Sequence, residues 1–271
     1  MTNSDGTVSI RDLINQFKGL VDSIPDGIED PTSLSDRSRK LLKAELLEVI
    51  TKLEGFAGGL DPIHPPDEVF DPSDPAVVGR LVARTLLERP RIPLGNINRF
   101  YGSGVYAIYY KGLFKAYKEI SGSQIPIYVG KVDPASSEAV TPEEQGDKLW
   151  NRLVKDHAKN VGKAKNLSLT DFEARFLVVR SAWQNTAENY LINWFKPAWN
   201  NEMSICHGFG KHGDKSSTRA NTKSPWDTLH PGRSWADDAT PHPKSTDEII
   251  ADIKEHYVTH LESIRAALAV Y

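Results

Sequence analysis

Apolar residues recur at helical spacing through the first hundred positions. Ile10, Leu13, Ile14, Phe17 and Leu20 share one face of residues 8–20. A longer stripe of Leu41, Leu42, Leu46, Val49, Ile50 and Leu53 runs through residues 37–56. Ser35 or Asp36 offers that helix an N-cap, and Gly58-Gly59 a stop. Residues 61–75 hold Pro62, Pro65, Pro66, Pro72 and Pro75 and read as a connection. A third helix is expected over 76–87, closed by Pro90 and Pro93. Residues 1–95 thus predict a helical lobe, suited to support, dimerisation or clamping of a ligand.

The pattern changes near Asn96. Gly104-Val105-Tyr106-Ala107-Ile108-Tyr109-Tyr110 is a strand by composition. A second strand is expected over 113–120, across a Lys111-Gly112 turn, and another over 125–130, where Pro126 suits an edge. A polar loop, 131–146, leads to a helix over 147–160. A strand over 172–180 and a helix over 181–195, stopped by Lys196-Pro197, complete the run. The order β-β-α-β-α over 96–201 predicts a small α+β core, with a mostly antiparallel central sheet flanked by helices. Residues 202–240 are polar and rich in Gly, His, Lys and Trp, too long for an ordinary connection, and read as a functional excursion. Within 241–271 a final helix is expected over 245–270, introduced by the Ser245-x-x-Glu248 capping signal.

Of the 271 residues 39% are hydrophobic and 25% charged, ordinary for a globular protein. No apolar run reaches membrane-span length, and no membrane partner is expected. The first residues lack the pattern of a secretory signal. The single cysteine, Cys206, excludes an internal disulfide and a Cys-rich zinc site. A reduced setting follows, with a bacterial cytoplasm as the simplest case. The net charge of −3 hides an asymmetry: residues 99–235 carry 19 Lys+Arg against 13 Asp+Glu, and the flanks are acidic. A positive middle favours a phosphate backbone, because cation release accompanies contact.

Gly104-Val105-Tyr106 and Tyr128-Val129-Gly130 resemble the two tripeptides that name the GIY-YIG nuclease superfamily. The resemblance extends over residues 96–201. Further segments, Trp150-Asn151-Arg152-Leu153, Asp171-Phe172-Glu173-Ala174-Arg175-Phe176, Pro197-Ala198-Trp199-Asn200, Gly208-Phe209-Gly210 and Trp226-Asp227-Thr228-Leu229-His230-Pro231-Gly232-Arg233, are similar to its type II restriction endonucleases of CCGCGG (SacII-type) specificity. That likeness implies a Mg²⁺-dependent enzyme cutting double-stranded DNA within a bacterial restriction–modification system. The cognate DNA methyltransferase would belong to the same system without being a stable partner. A palindromic target implies a homodimer, or a tetramer of two dimers.

The resemblance also implies roles. Tyr106 would be the general base, with help from a neighbouring cation or imidazole, since a free phenol titrates near 10. Tyr128 would contact the phosphate or position the water. Arg152 would hold the scissile phosphate through its planar fork, and His157 would assist proton transfer. The superfamily places this Arg four residues before the His; here the interval is five. Glu188 is the candidate Mg²⁺ ligand, since one carboxylate suffices for an ion that keeps several waters; its alternative is a solvated helix glutamate. Asn200 would bridge backbone groups and hold the sheet. DNA contacts are expected from Lys131, His207, Lys211, His212, Arg219, Asn221, His230 and Arg233. The His207/His212 spacing admits zinc, but no second close pair accompanies it. Two other readings share these residues: a repair or structure-specific nuclease, and a noncatalytic DNA-binding module.

Overall fold

The computed structural model describes residues 9–27, 30–60, 63, 66, 69–180, 183–209 and 222–269. The chain divides into two compact units, Met1–Val69 and Phe70–Tyr271.

The first unit holds two helices, α1 (Ile10–Ser23) and α2 (Asp36–Gly59). Each begins at a serine whose hydroxyl accepts an otherwise orphaned amide: Ser9 from Asp12, and Ser35 from Ser38. Neither helix contains a fully buried residue.

The second unit begins earlier than the expected break at residue 95. Its first helix, α3 (Pro75–Glu88), starts at the Asp74 cap with proline in its first turn. It buries Gly79, Ala83 and Leu86 and packs against α5 (Gln184–Phe195). The segment assigned from sequence to the helical lobe is therefore part of the core. Residues 202–240 and 241–271 also belong to this unit rather than to separate domains.

The sheet has four antiparallel strands: β1 (Ile92–Pro93), β2 (Gly104–Tyr110), β3 (Tyr128–Val132) and β4 (Phe172–Val178), in the order β1-β4-β2-β3. All seven residues of β2 are buried, which fits its near-continuous apolar composition. The predicted α+β class with an antiparallel sheet is what the structure has. β1 was missed, because two residues carry no periodicity.

The strand expected over 113–120 is not formed. A 3₁₀ turn, Lys115–Tyr117, stands there. Ala116, Tyr117 and Ile120 are buried and Leu113 is fully exposed, a three-to-four spacing rather than an alternation. The Tyr110 hydroxyl accepts the Phe114 amide at 2.9 Å and fixes the turn. β3 begins at Tyr128, three residues later than expected.

Between β3 and β4 runs the helix α4, residues 148–163, whose middle section, Asn151–Ala158, is a π-helix. A five-residue helix, α6 (Pro225–Leu229), precedes the last, α7 (Thr246–Ala269). α7 buries Ile249, Ile250, Ile253, Tyr257 and Ile264 along one stripe. Its Tyr257 hydroxyl accepts the Ala198 amide at 3.3 Å, bracing the turn that carries Asn200.

Candidate active site

β2 and β3 place two tyrosines on one face. Tyr106 opposes Gly130 and Ile108 opposes Tyr128, so Tyr106 and Tyr128 are diagonal neighbours, with ring centroids 6.2 Å apart. Gly130 is required by this packing: a Cβ there would overlap the Tyr106 hydroxyl. At Gly104 a Cβ would overlap the Leu177 carbonyl on β4. Both glycines of the tripeptides are thus explained by close approach.

β3 is an edge strand, and its free edge is covered by Asn200. The side-chain oxygen of Asn200 accepts the Val129 amide at 3.0 Å, and its NH₂ donates to the Val129 carbonyl at 2.9 Å. One amide side chain thereby pairs both backbone groups of a buried residue.

α4 supplies Arg152 and His157. In an α-helix residues five apart diverge by about 140°. The π-helix bonds i to i+5 and brings them onto one face. The five-residue interval is therefore the repeat of the helix that carries it. Arg152 and His157 line the same cavity. His157 is fully buried, its Nε2 2.7 Å from the Tyr106 hydroxyl. Arg152 meets Asp156 at 3.2 Å.

Glu188 projects from the inward face of α5, the face that also buries Gln184, Ala187, Leu191, Ile192 and Phe195. It is half-buried and faces the tyrosines across a cavity of about 270 Å³. Lys131, Glu202, Gly208 and Phe209 complete much of the lining. Loss of water pushes the Glu188 carboxyl up to about 7, with Glu202 and Asp133 adding to the rise. Lys131 opposes it through its charge and its backbone amide, which hydrogen-bonds to the carboxylate. Burial likewise raises both phenols, Tyr106 well above its ordinary value and Tyr128 to about 12, while Arg152 pulls each down. Tyr106 is therefore protonated, and its hydroxyl lies in hydrogen-bond contact with both His157 Nε2 and Tyr128.

All six residues expected at the catalytic centre, Tyr106, Tyr128, Arg152, His157, Glu188 and Asn200, line this one cavity. Residues 98–257 match the family model described as the Eco29kI GIY-YIG domain. The chain belongs to the Eco29kI GIY-YIG family. That is a restriction endonuclease family, so the chain carries a site-specific, DNA-directed nuclease domain. No curated protein shows a significant match to the chain. The Eco29kI match embraces the whole cavity and leaves α1, α2 and α3 ahead of it.

Two lining residues of this Eco29kI-family site escaped the sequence reading. Glu202 follows Asn200 in a loop without periodicity. Phe209 stacks on Tyr128 and His157, with centroids 4.9 and 5.2 Å away. Phe209 itself stands in the Gly208-Phe209-Gly210 motif, but no role follows for it from the sequence.

The expected DNA contacts divide. Lys131 lines the cavity and pairs with Asp133 at 2.6 Å. His207 is exposed. Lys211, His212, Arg219 and Asn221 lie outside the described residues. His230 and Arg233 require correction, because both are buried and offer no atom to a duplex. His230 Nε2 accepts from the Tyr117 hydroxyl at 2.6 Å, and its Nδ1 meets the Asn166 side-chain oxygen at 2.9 Å. Burial, with Arg233 nearby, lowers its pKa to about 3, so this imidazole is neutral. Arg233 Nε donates to Asp227 at 2.6 Å, and Nη2 to the Gly208 carbonyl at 3.1 Å. Trp226, beside Asp227 in the chain, packs edge-on against both Trp199 and Phe209. The segment from Trp226 to Arg233 thus holds the Gly208–Phe209 backbone against Tyr128 and His157.

Asp227→Asn should leave the Arg233 charge buried without its counter-ion, at a cost of about 3–5 kcal/mol, measured by urea denaturation; an unchanged midpoint would refute the pairing. Glu188→Gln tests the desolvated carboxyl. Its folded pKa lies above the unfolded value, so ionisation works against the fold as pH rises from 4.5 to about 7. Without divalent ions the variant should melt higher than wild type at pH 8, by roughly 3 °C, and the gap should close toward pH 4.5.

Proposed function

We propose that the chain is a type II restriction endonuclease that hydrolyses both strands of a palindromic DNA site with Mg²⁺. The observation that carries this reading is the convergence of two phenols, an imidazole, a guanidinium and a water-poor carboxylate on one cavity.

The donor set suits magnesium. Glu188 offers oxygen, with Glu202 beside it, in a place where a carboxylate lacks water and gains from a cation. Among the described residues no three His, Cys, Asp or Glu side chains form a cage. That matches an ion held by one or two carboxylates, its own waters and substrate phosphate. Glu188 would hold it. When bound, Mg²⁺ neutralises charge on the phosphoryl and leaving oxygens.

The protein's own groups supply the rest. Arg152 grips the scissile phosphate with two parallel donors. Tyr128 donates its hydroxyl to a phosphate oxygen or to the attacking water. Tyr106 Oη takes a proton from that water while passing its own to His157 Nε2, 2.7 Å away. The water-poor cavity makes free phenolate costly, so concerted transfer avoids it.

CCGCGG is proposed as the target from the likeness of the motifs quoted above. A two-fold target calls for two copies, as a dimer or as a tetramer of two dimers. Bacterial cytoplasm, with a separate cognate methyltransferase, is the matching setting; no described helix is long and apolar enough to cross a membrane.

Plasmid carrying CCGCGG should yield discrete fragments with Mg²⁺, and sequencing their ends reports target and cleavage position together. Random degradation, or cutting confined to branched DNA, would contradict the assignment. Glu188→Ala should abolish cutting while DNA retention in a gel-shift assay largely survives. Because Mg²⁺ competes with the Glu188 proton, its apparent affinity should weaken about tenfold per pH unit below 7 and level off above it. Calorimetric titration across pH 5.5–8.5 (roughly the range spanning that carboxyl) checks this, and a flat profile would remove Glu188 from the metal site.

A further inference from the structure

α2 carries an apolar face that the described residues of its own unit leave exposed. Leu42, Leu46, Val49, Leu53 and Phe56 follow alternating steps of four and three, and each is 38% or more exposed. Ile50 widens the stripe at 47%. Such steps form the seam of a helix pair, whose knobs fit the holes of a helix like itself.

The charges on α2 are arranged against its own interest. Arg37, Arg39, Lys40 and Lys43 crowd the first half, against Asp36 and Glu45. Glu48 and Glu54 occupy the second half, with Lys52 as the one base. The helix macrodipole favours the reverse, with acids near the N-terminus and bases near the C-terminus. An isolated α2 therefore gains nothing from this order. A second α2 running antiparallel gains from it, since each basic half then lies along an acidic half.

The register is self-consistent. Glu45 and Lys52 flank one side of the stripe; Lys43 and Glu54 flank the other. In an antiparallel pair, residues on one flank stay on that flank. Crossing near residues 48 and 49 sets Glu45 beside the second copy's Lys52, and Lys43 beside its Glu54. Two-fold symmetry repeats each pair. Lys52 also reaches Glu48 of its own helix at 2.6 Å, and both side chains remain about two-thirds exposed.

From these features we infer that α2 is a homodimerisation helix that binds a second copy of this chain antiparallel, through the Leu42–Phe56 seam. The inference deepens the two-fold reading of the nuclease by naming the surface that joins its halves. This surface lies outside the segment that matches the Eco29kI family.

Sedimentation of the full chain tests it without reference to cleavage. Wild type should be dimeric at micromolar concentration. Glu45→Lys, at an exposed position, should weaken the dimer about tenfold or more in low salt, by setting like charges opposite one another twice. The exchange Glu45→Lys with Lys52→Glu should restore it. Glu45→Cys protein mixed with Lys52→Cys protein should form a disulfide between the two variants in preference to either with itself. A wild-type monomer, a dimer insensitive to Glu45→Lys, or preferential self-crosslinking would each overturn the proposal. A monomer that still cuts DNA would do so while leaving the nuclease reading intact.

Discussion

The hydrogen bond between Tyr106 and His157 joins two elements that meet nowhere else in the chemistry: the central strand of the sheet and the wide helix beside it. It works because the cavity has little water. In bulk solvent a phenol and an imidazole would each bond to water and gain little from one another. Here burial holds the phenol protonated and leaves the two rings to bond to each other. Arg152 tempers the cost by favouring negative charge on either tyrosine, and Glu188 acts in the opposite sense. The site is thus balanced between a cation that favours deprotonation of the tyrosines and a carboxylate that opposes it.

Around this pair the fold invests in position. Asn200 occupies the free edge of β3, so the strand bearing Tyr128 is paired on both sides. Phe209 presses on both Tyr128 and His157, and its backbone is held by Arg233. That arginine is neutralised by Asp227 in an apolar setting, where the geometry must be good for the pair to survive. Tyr257, from the last helix, braces the turn before Asn200. Few reactive groups face the cavity, and most of the neighbouring polar groups serve to keep them still.

Much of this was legible in the sequence. The tripeptides, Glu188 and Asn200 stood out through the family resemblance, and the antiparallel core followed from the order and composition of the segments. Other features were hidden for physical reasons. β1 is two residues long and is defined only by its partner. Residues 113–120 look like a strand by composition, but their buried positions follow a helical spacing that becomes clear once Tyr110 has capped the turn. His230 and Arg233 sit in a stretch rich in polar residues, where charge suggests a ligand. Their interior role depends on Trp199, Trp226 and Phe209 converging from distant positions. Glu202 carries no periodic signal, and only the cavity reveals it.

The widened middle of α4 separates alignment in space from counting in sequence. A pattern that demands an arginine one ordinary turn before a histidine would pass over this chain, although the two side chains reach the same water-poor hollow. An extra residue in a helix usually rotates everything beyond it out of place. A wide turn absorbs that surplus locally and keeps the rotational phase on either side. Relatives with either interval can therefore share one active-site geometry, and the hydrogen-bond ladder identifies the equivalent atoms more faithfully than residue spacing does.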